Sequence, residues 1–152
     1  MSPKTLSDDT IRRVPLLRVD QPLGAAVAEI VAAELPALPV VDAGDALVGI
    51  FGEREFIAAI FPGYIGELRY AGFVRKSVDE VLEQRSECAA EPVAKHMNTE
   101  HIDVGPDHSD AQLAEIFLHH RVLIIPVVEE GKVSGVVTRA DFFTALAARL
   151  RT

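Results

Sequence analysis

A chain of 152 residues, 49% of them apolar, is long enough to bury a core of its own, either as one compact domain or as two small halves sharing one. Its 15 Lys and Arg against 23 Asp and Glu leave a formal net charge of −8, which disfavours nucleic acid as a partner, because that binding rests on cations neutralising phosphates. A lone cysteine, Cys88, excludes an internal disulfide and argues against a thiolate zinc site, so the chain reads as reduced and intracellular.

The first residues, with Asp8, Asp9, Arg12 and Arg13, lack the basic-then-apolar form of a secretory leader, and the expected location is the cytoplasm. The longest apolar stretch, Leu23 to Val41, is broken by Glu29, Glu34, Pro36 and Pro39, short of the roughly 20 uninterrupted residues of a membrane span, so no membrane partner is expected. Pro39-Val40-Val41-Asp42 then reads as a strand, Ala43-Gly44-Asp45 as a turn, Gly49-Ile50-Phe51 as a second strand, and Glu53-Arg54-Glu55-Phe56 as the start of a helix closed by Pro62-Gly63.

From Phe61 to Pro92 the chain has no counterpart elsewhere in itself. Tyr64, Leu68, Tyr70 and Phe73 predict an ordered excursion, and Ser77-Val78-Asp79-Glu80 is a capping box leading into a helix over 81–85. The segment is either a packed connector or a surface for a partner or a second copy. Ile102-Asp103-Val104 is a short extended piece ended by Gly105-Pro106; Ser109-Asp110-Ala111-Gln112 caps a helix carrying Leu113, Ile116 and Phe117. Leu123 to Val128 is an apolar strand, Glu129 to Lys132 a turn, Val133 to Val137 a strand, and Thr138-Arg139-Ala140-Asp141 opens a last helix with Phe142, Phe143, Leu146 and Leu150 on its apolar side.

These elements occur twice. Pro39-Val40-Val41-Asp42 returns 87 residues later as Pro126-Val127-Val128-Glu129, whereas Ala28-Glu29-Ile30 and Gly49-Ile50-Phe51 return 86 residues later as Ala114-Glu115-Ile116 and Gly135-Val136-Val137. Each half is β-α-β-β-α. A strand such as Ile124 to Val128 has no polar face and must be covered on both sides, which neither half does well alone. Two halves packed sheet to sheet solve this for both and leave two equivalent clefts at their junction.

With their Pro-Val-Val-acid strands, Gly turns, Gly-hydrophobic-hydrophobic strand ends and acidic-Phe helix starts, the two halves resemble the CBS (cystathionine-β-synthase) domain, and the tandem resembles a Bateman module. The resemblance implies an α/β (α+β) fold: CBS repeats over 10–60 and 93–150, packed sheet to sheet with pseudo-two-fold symmetry, around a helical insert over 61–92. It further implies a regulatory module, not an enzyme, that binds AMP, ADP, ATP or S-adenosylmethionine between its repeats, forms a homodimer and signals to a separate effector protein. The competing reading is a ligand-free structural or interaction module that uses the 61–92 insert.

In the family's ribose-phosphate motif, Gly-h-h-Thr/Ser-x-x-Asp, the second half is complete as Gly135-Val136-Val137-Thr138-Arg139-Ala140-Asp141. A helix N-terminus offers unpaired N–H groups to phosphate, Thr138 adds a hydroxyl, Arg139 a cation, and Asp141 a carboxylate able to accept from both ribose hydroxyls. Thr-x-x-Asp is equally an ordinary capping box. In the first half the matching residues are Gly52, which lacks a hydroxyl, and Glu55, one methylene longer than Asp. The clefts are therefore expected to be unequal, the Asp141 cleft binding and the Glu55 cleft weak or empty. The resemblance places adenine against Thr10, Val14, Pro15, Leu35, Pro36 and Ala37 in the Asp141 cleft, and against Thr99, Val122 and Leu123 in the Glu55 cleft. The spacings of His96, His101, His108, His119 and His120 match no metal-site pattern, so no metal is expected.

Overall fold

The computed structural model describes residues 6–61 and 77–151; the aromatic stretch Tyr64 to Val74 lies outside them. In chain order a short helix α1 (Leu6–Thr10) precedes β1 (Leu17–Arg18), α2 (Leu23–Ala33), β2 (Ala37–Val41), β3 (Leu47–Gly52) and α3 (Glu53–Ile60). A connector holds α4 (Val78–Gln84) and two 3₁₀ turns, Ser86–Ala90 and Val93–Lys95. The second half comprises α5 (Asp110–His119), β4 (Ile124–Glu129), β5 (Lys132–Thr138) and α6 (Arg139–Leu150).

The helix starts follow from local chemistry. The Ser77 hydroxyl accepts from the Glu80 N–H at 3.2 Å, that of Ser109 from the Gln112 N–H at 3.1 Å, and that of Thr138 from the Asp141 N–H at 3.0 Å. The sheets follow from the apolar runs. The strands β2 and β3 pair antiparallel with β1 parallel beside β2, while β4 and β5 pair antiparallel with Val104 bridging Val127 in parallel, just as Leu17 faces Val40. All five residues of β2 are buried, as are the first four of β4, because each strand lies between its own helices and the opposite half.

Each half has its own core, one around Leu17, Leu23, Leu38 and Phe51 and one around Leu113, Ile125, Val127 and Val137, all completely or almost completely buried. A third cluster joins them: Ala37 and Ile50 from the first half against Ile124 and Val136 from the second, with Val14 beside it. These are equivalent positions of the repeat, so the junction is pseudo-symmetric. Ala46 pairs with Lys132, its own equivalent 86 residues away, as happens across a two-fold axis.

The halves also exchange chain. Arg12 pairs with Val136 of β5 through two backbone hydrogen bonds of 2.9 Å, and Asn98 pairs with Ile50 of β3 through bonds of 2.8 and 3.0 Å. Each segment leading into a half thus crosses to the sheet of the other half. This crossing accounts for the glycine that begins each Gly-hydrophobic-hydrophobic strand end: a Cβ on Gly135 would sit 2.6 Å from the Arg12 carbonyl oxygen, and one on Gly49 3.1 Å from that of Asn98. Residues 6–12 accordingly pack on the second half, with Leu6 buried in its core and the Leu6 N–H donating to Asp110 Oδ2 at 3.0 Å.

Candidate functional site

The larger cleft is built where β5 turns into α6. Thr138 is extended, buried and committed to the Asp141 N–H, while the Arg139 N–H donates to the Leu123 carbonyl at 3.0 Å, so the first turn of this 12-residue helix is fixed in place. Across from it stand Leu35 and Pro36 from the link between α2 and β2. The space between is about 570 Å³, within the range of small-molecule sites. Thr138, Arg139, Ala140, Asp141, Leu35 and Pro36 therefore line one cleft.

The adenine-side assignments from the lead-in segment are displaced. Thr10 ends α1, Pro15 is exposed, and Val14 packs on the junction cluster; none of the three lines the cleft. The residue that enters is Arg12, because the pairing of Arg12 with Val136 sets which side chain faces α6. Ala37 belongs to the wall of the other cleft.

Arg12 reaches both oxygens of Asp141, Nε donating to Oδ2 at 2.6 Å and Nη2 to Oδ1 at 2.9 Å. The Arg12 hydrogen bond holds the Asp141 carboxyl below the usual carboxylate range, and the same bond raises Arg12. Sequence reasoning placed Arg12 only among the charged residues at the start of the chain. The available signal was positional: Arg12 stands 86 residues before Asn98, so both are lead-in residues of equivalent strands.

The second cleft, about 280 Å³, lies at the N-terminus of α3 and is lined by Glu53, Arg54 and Glu55 opposite Val122, Leu123 and His101. Gly52 lies buried behind this wall and Thr99 is exposed outside it, so neither lines the cleft. Glu55 folds back on its own helix, Oε1 accepting from the Gly52 N–H at 2.9 Å, so this helix start is already capped by a carboxylate. Burial raises the Glu55 pKa above the ordinary carboxylate range.

A raised acid disfavours its charged form in the fold. The stability linked to Glu55 is full below the unfolded carboxylate pKa and is lost as pH climbs through the higher folded value. Glu55→Gln keeps an oxygen for the Gly52 N–H; its Tm is expected to exceed that of wild type at pH 7 and to converge with it as pH falls through the carboxylate range. A Tm difference independent of pH would contradict this account.

Three of the five histidines that sequence singled out have partners nearby: His96 Nε2 lies 3.1 Å from Glu91 Oε1, His108 Nδ1 lies 2.7 Å from the Gly105 carbonyl, and His101 Nε2 lies 3.7 Å from Asp103.

Residues 6–62 and 93–148 each match the family model of the CBS domain. The chain belongs to the CBS-domain family. Among solved structures, this CBS pair is similar to the CBS domain of a CBS-domain-containing membrane protein from Sphaerobacter thermophilus, at 27% identity over 93% of this chain and 86% of that one, with a TM-score of 0.70. It is similar in fold to the CBS-pair protein CBSX2 from Arabidopsis thaliana, at 20% identity over 95% of both chains and a TM-score of 0.73. A structure of CBSX2 in complex with AMP matches at 19% identity over 97% of this chain and 98% of that one, with a TM-score of 0.70. No curated protein sequence matches the chain. Among the described residues no helix is long and apolar enough to cross a membrane.

Proposed function

We propose that this CBS pair is a ligand-sensing regulatory module, not an enzyme, which takes an adenine nucleotide or related adenosyl ligand in the Asp141 cleft and signals its occupancy, as a homodimer, to a partner protein. The observation that carries the reading is the meeting in one 570 Å³ cleft of a long helix's N-terminus, the Asp141 carboxylate and the apolar Leu35 and Pro36 wall. Phosphate suits the positive end of that helix's dipole and the Arg139 side chain beside it, the ribose diol suits a two-oxygen carboxylate, and the purine suits the apolar side. The AMP complex of CBSX2 lends support from within the family. Signalling requires only that the ligand bind two states of the module unequally.

The test is titration calorimetry and thermal shift with AMP, ADP, ATP and S-adenosylmethionine. At least one is expected to bind with one site per chain, the Glu55 cleft staying empty, and saturation near 100 times its dissociation constant should add about 2.7 kcal/mol, or roughly 5–10 °C in Tm. Silence from all four ligands would leave the second reading, a ligand-free interaction module using the 61–92 segment. One observation favours that alternative: Asp141 and Thr138 already have partners within the chain.

A further inference from the structure

We infer that Arg12 is the specificity-determining residue of the Asp141 cleft, a latch that admits phosphorylated adenosine ligands and holds out the uncharged nucleoside and the sulfonium S-adenosylmethionine. The inference rests on the reading of this cleft as a nucleotide site and narrows it to one class of ligand.

A vicinal diol that donates one hydrogen bond to each carboxylate oxygen competes for the same paired edge of Asp141 that the fork of Arg12 holds, at 2.6 and 2.9 Å. A ribose must therefore displace the guanidinium. What the guanidinium finds next depends on the ligand. Its backbone is pinned by two hydrogen bonds to Val136, so the released side chain turns about a fixed Cα and stays in the cleft. A phosphorylated ligand supplies it with a new anion. Adenosine supplies none, and S-adenosylmethionine brings a positive sulfur beside it.

The charges lining the cleft make a phosphate's hold depend on Arg12. Arg12 and Arg139 stand against Glu34, Glu53 and Asp141, two cations against three carboxylates. Without Arg12 the balance turns further against phosphate. The latch is also easy to open, since the Arg12 side chain is 50% exposed and an exposed pair is weak. The equivalent lead-in residue of the other cleft is the neutral Asn98, so only the Asp141 cleft is latched.

The experiment is calorimetry of wild type, Arg12→Gln and Arg12→Lys against AMP, adenosine and S-adenosylmethionine at one ionic strength. Wild type is expected to prefer AMP. In Arg12→Gln, AMP should weaken by about tenfold or more, the loss of a charge-assisted contact, while adenosine should tighten by about two- to fivefold because Asp141 is free. Arg12→Lys keeps a cation without the planar fork, so it should hold AMP within about threefold of wild type and still tighten adenosine. It decides the matter should the Gln variant fail to fold.

Adenosine binding unchanged or weakened in the folded variants overturns the latch, since a merely structural arginine would give that result. An undiminished preference for AMP in Arg12→Gln also overturns it, with the nucleotide reading of the cleft left standing. Failure of wild type and both variants to bind any of the three ligands removes that reading and the latch together.

Discussion

Gly52→Thr, the change that would give the first repeat the hydroxyl its counterpart carries at Thr138, is expected to destabilise the fold by about 3 kcal/mol, lowering Tm by roughly 6–12 °C. A Cβ at Gly52 would lie 2.4 Å from both the Pro36 carbonyl oxygen and the Ala37 Cβ. Neither can move away cheaply. Ala37 is the ladder partner of Gly52 in the β2–β3 pairing, and the Pro36 carbonyl accepts from the Glu53 N–H at 2.9 Å to start α3. The backbone at Gly52 is extended, with φ −162° and ψ −156°, so the obstacle is space and not conformation. Thr138, with φ −88° and ψ 151°, follows a different path into its helix, on which a side chain is accommodated. Gly52→Ala should show most of the effect, because the first side-chain carbon is the offending atom. If thermal denaturation of both variants lay within about 2 °C of wild type, the hairpin would be more yielding than these contacts imply. The asymmetry of the two clefts therefore has a packing cause: one substitution cannot rebuild the missing hydroxyl without opening the first sheet.

The parts of the fold visible in the sequence are those with a periodic or local cause. The caps at Ser77, Ser109 and Thr138 need only four consecutive residues, and each forms the hydrogen bond its motif implies. The repeat shows because two copies of one unit must bury equivalent positions. Its change from an offset of 86 to 87 and back falls in the link before β2 and β4 and in the hairpin turn, where β2 and β3 have no ladder to disturb. The lead-in segments were harder to place. Residues 11–16 have no period of their own, and their register is set by β5, a strand more than 100 residues away. Thr10, Val14 and Pro15 were thus assigned to a cleft that the chain reaches through Arg12. The helix α1 escaped notice for a related reason: five residues with a single buried leucine give no amphipathic pattern, and packing on the second half is what stabilises them. The glycines did carry a signal of the crossing, since a glycine inside a strand often marks the close approach of another backbone, as Arg12 and Asn98 approach Gly135 and Gly49.

Asp141→Ala separates the two roles this carboxylate has in the molecule. As a structural group its contribution is small. The Thr138 cap ends on the backbone N–H of residue 141 and survives the substitution, and the ion pair that is lost joins an Arg side chain 50% exposed to an Asp side chain 24% exposed. Such a pair contributes at most about 1 kcal/mol, so Tm should fall by no more than about 2–4 °C. The pH dependence is equally specific. Asp141 is held below the usual carboxylate range first by the Arg12 hydrogen bond, so its share of stability is present above the unfolded carboxylate pKa and fades as pH falls through the folded value. The variant should lose that part of the acid limb and nothing at neutral pH beyond the pair itself. As a ligand group its contribution is larger. Two hydrogen bonds from ribose hydroxyls to a carboxylate are lost, and the gain from an Arg12 already free for phosphate offsets part of that loss. A net weakening of AMP binding of about 2 kcal/mol, close to thirtyfold, is expected. Titration and denaturation on the same protein read both effects. A large loss of stability with binding intact would make Asp141 a strut of the α6 start, while lost binding with the fold barely touched is what a ligand-binding carboxylate held in reserve by Arg12 predicts.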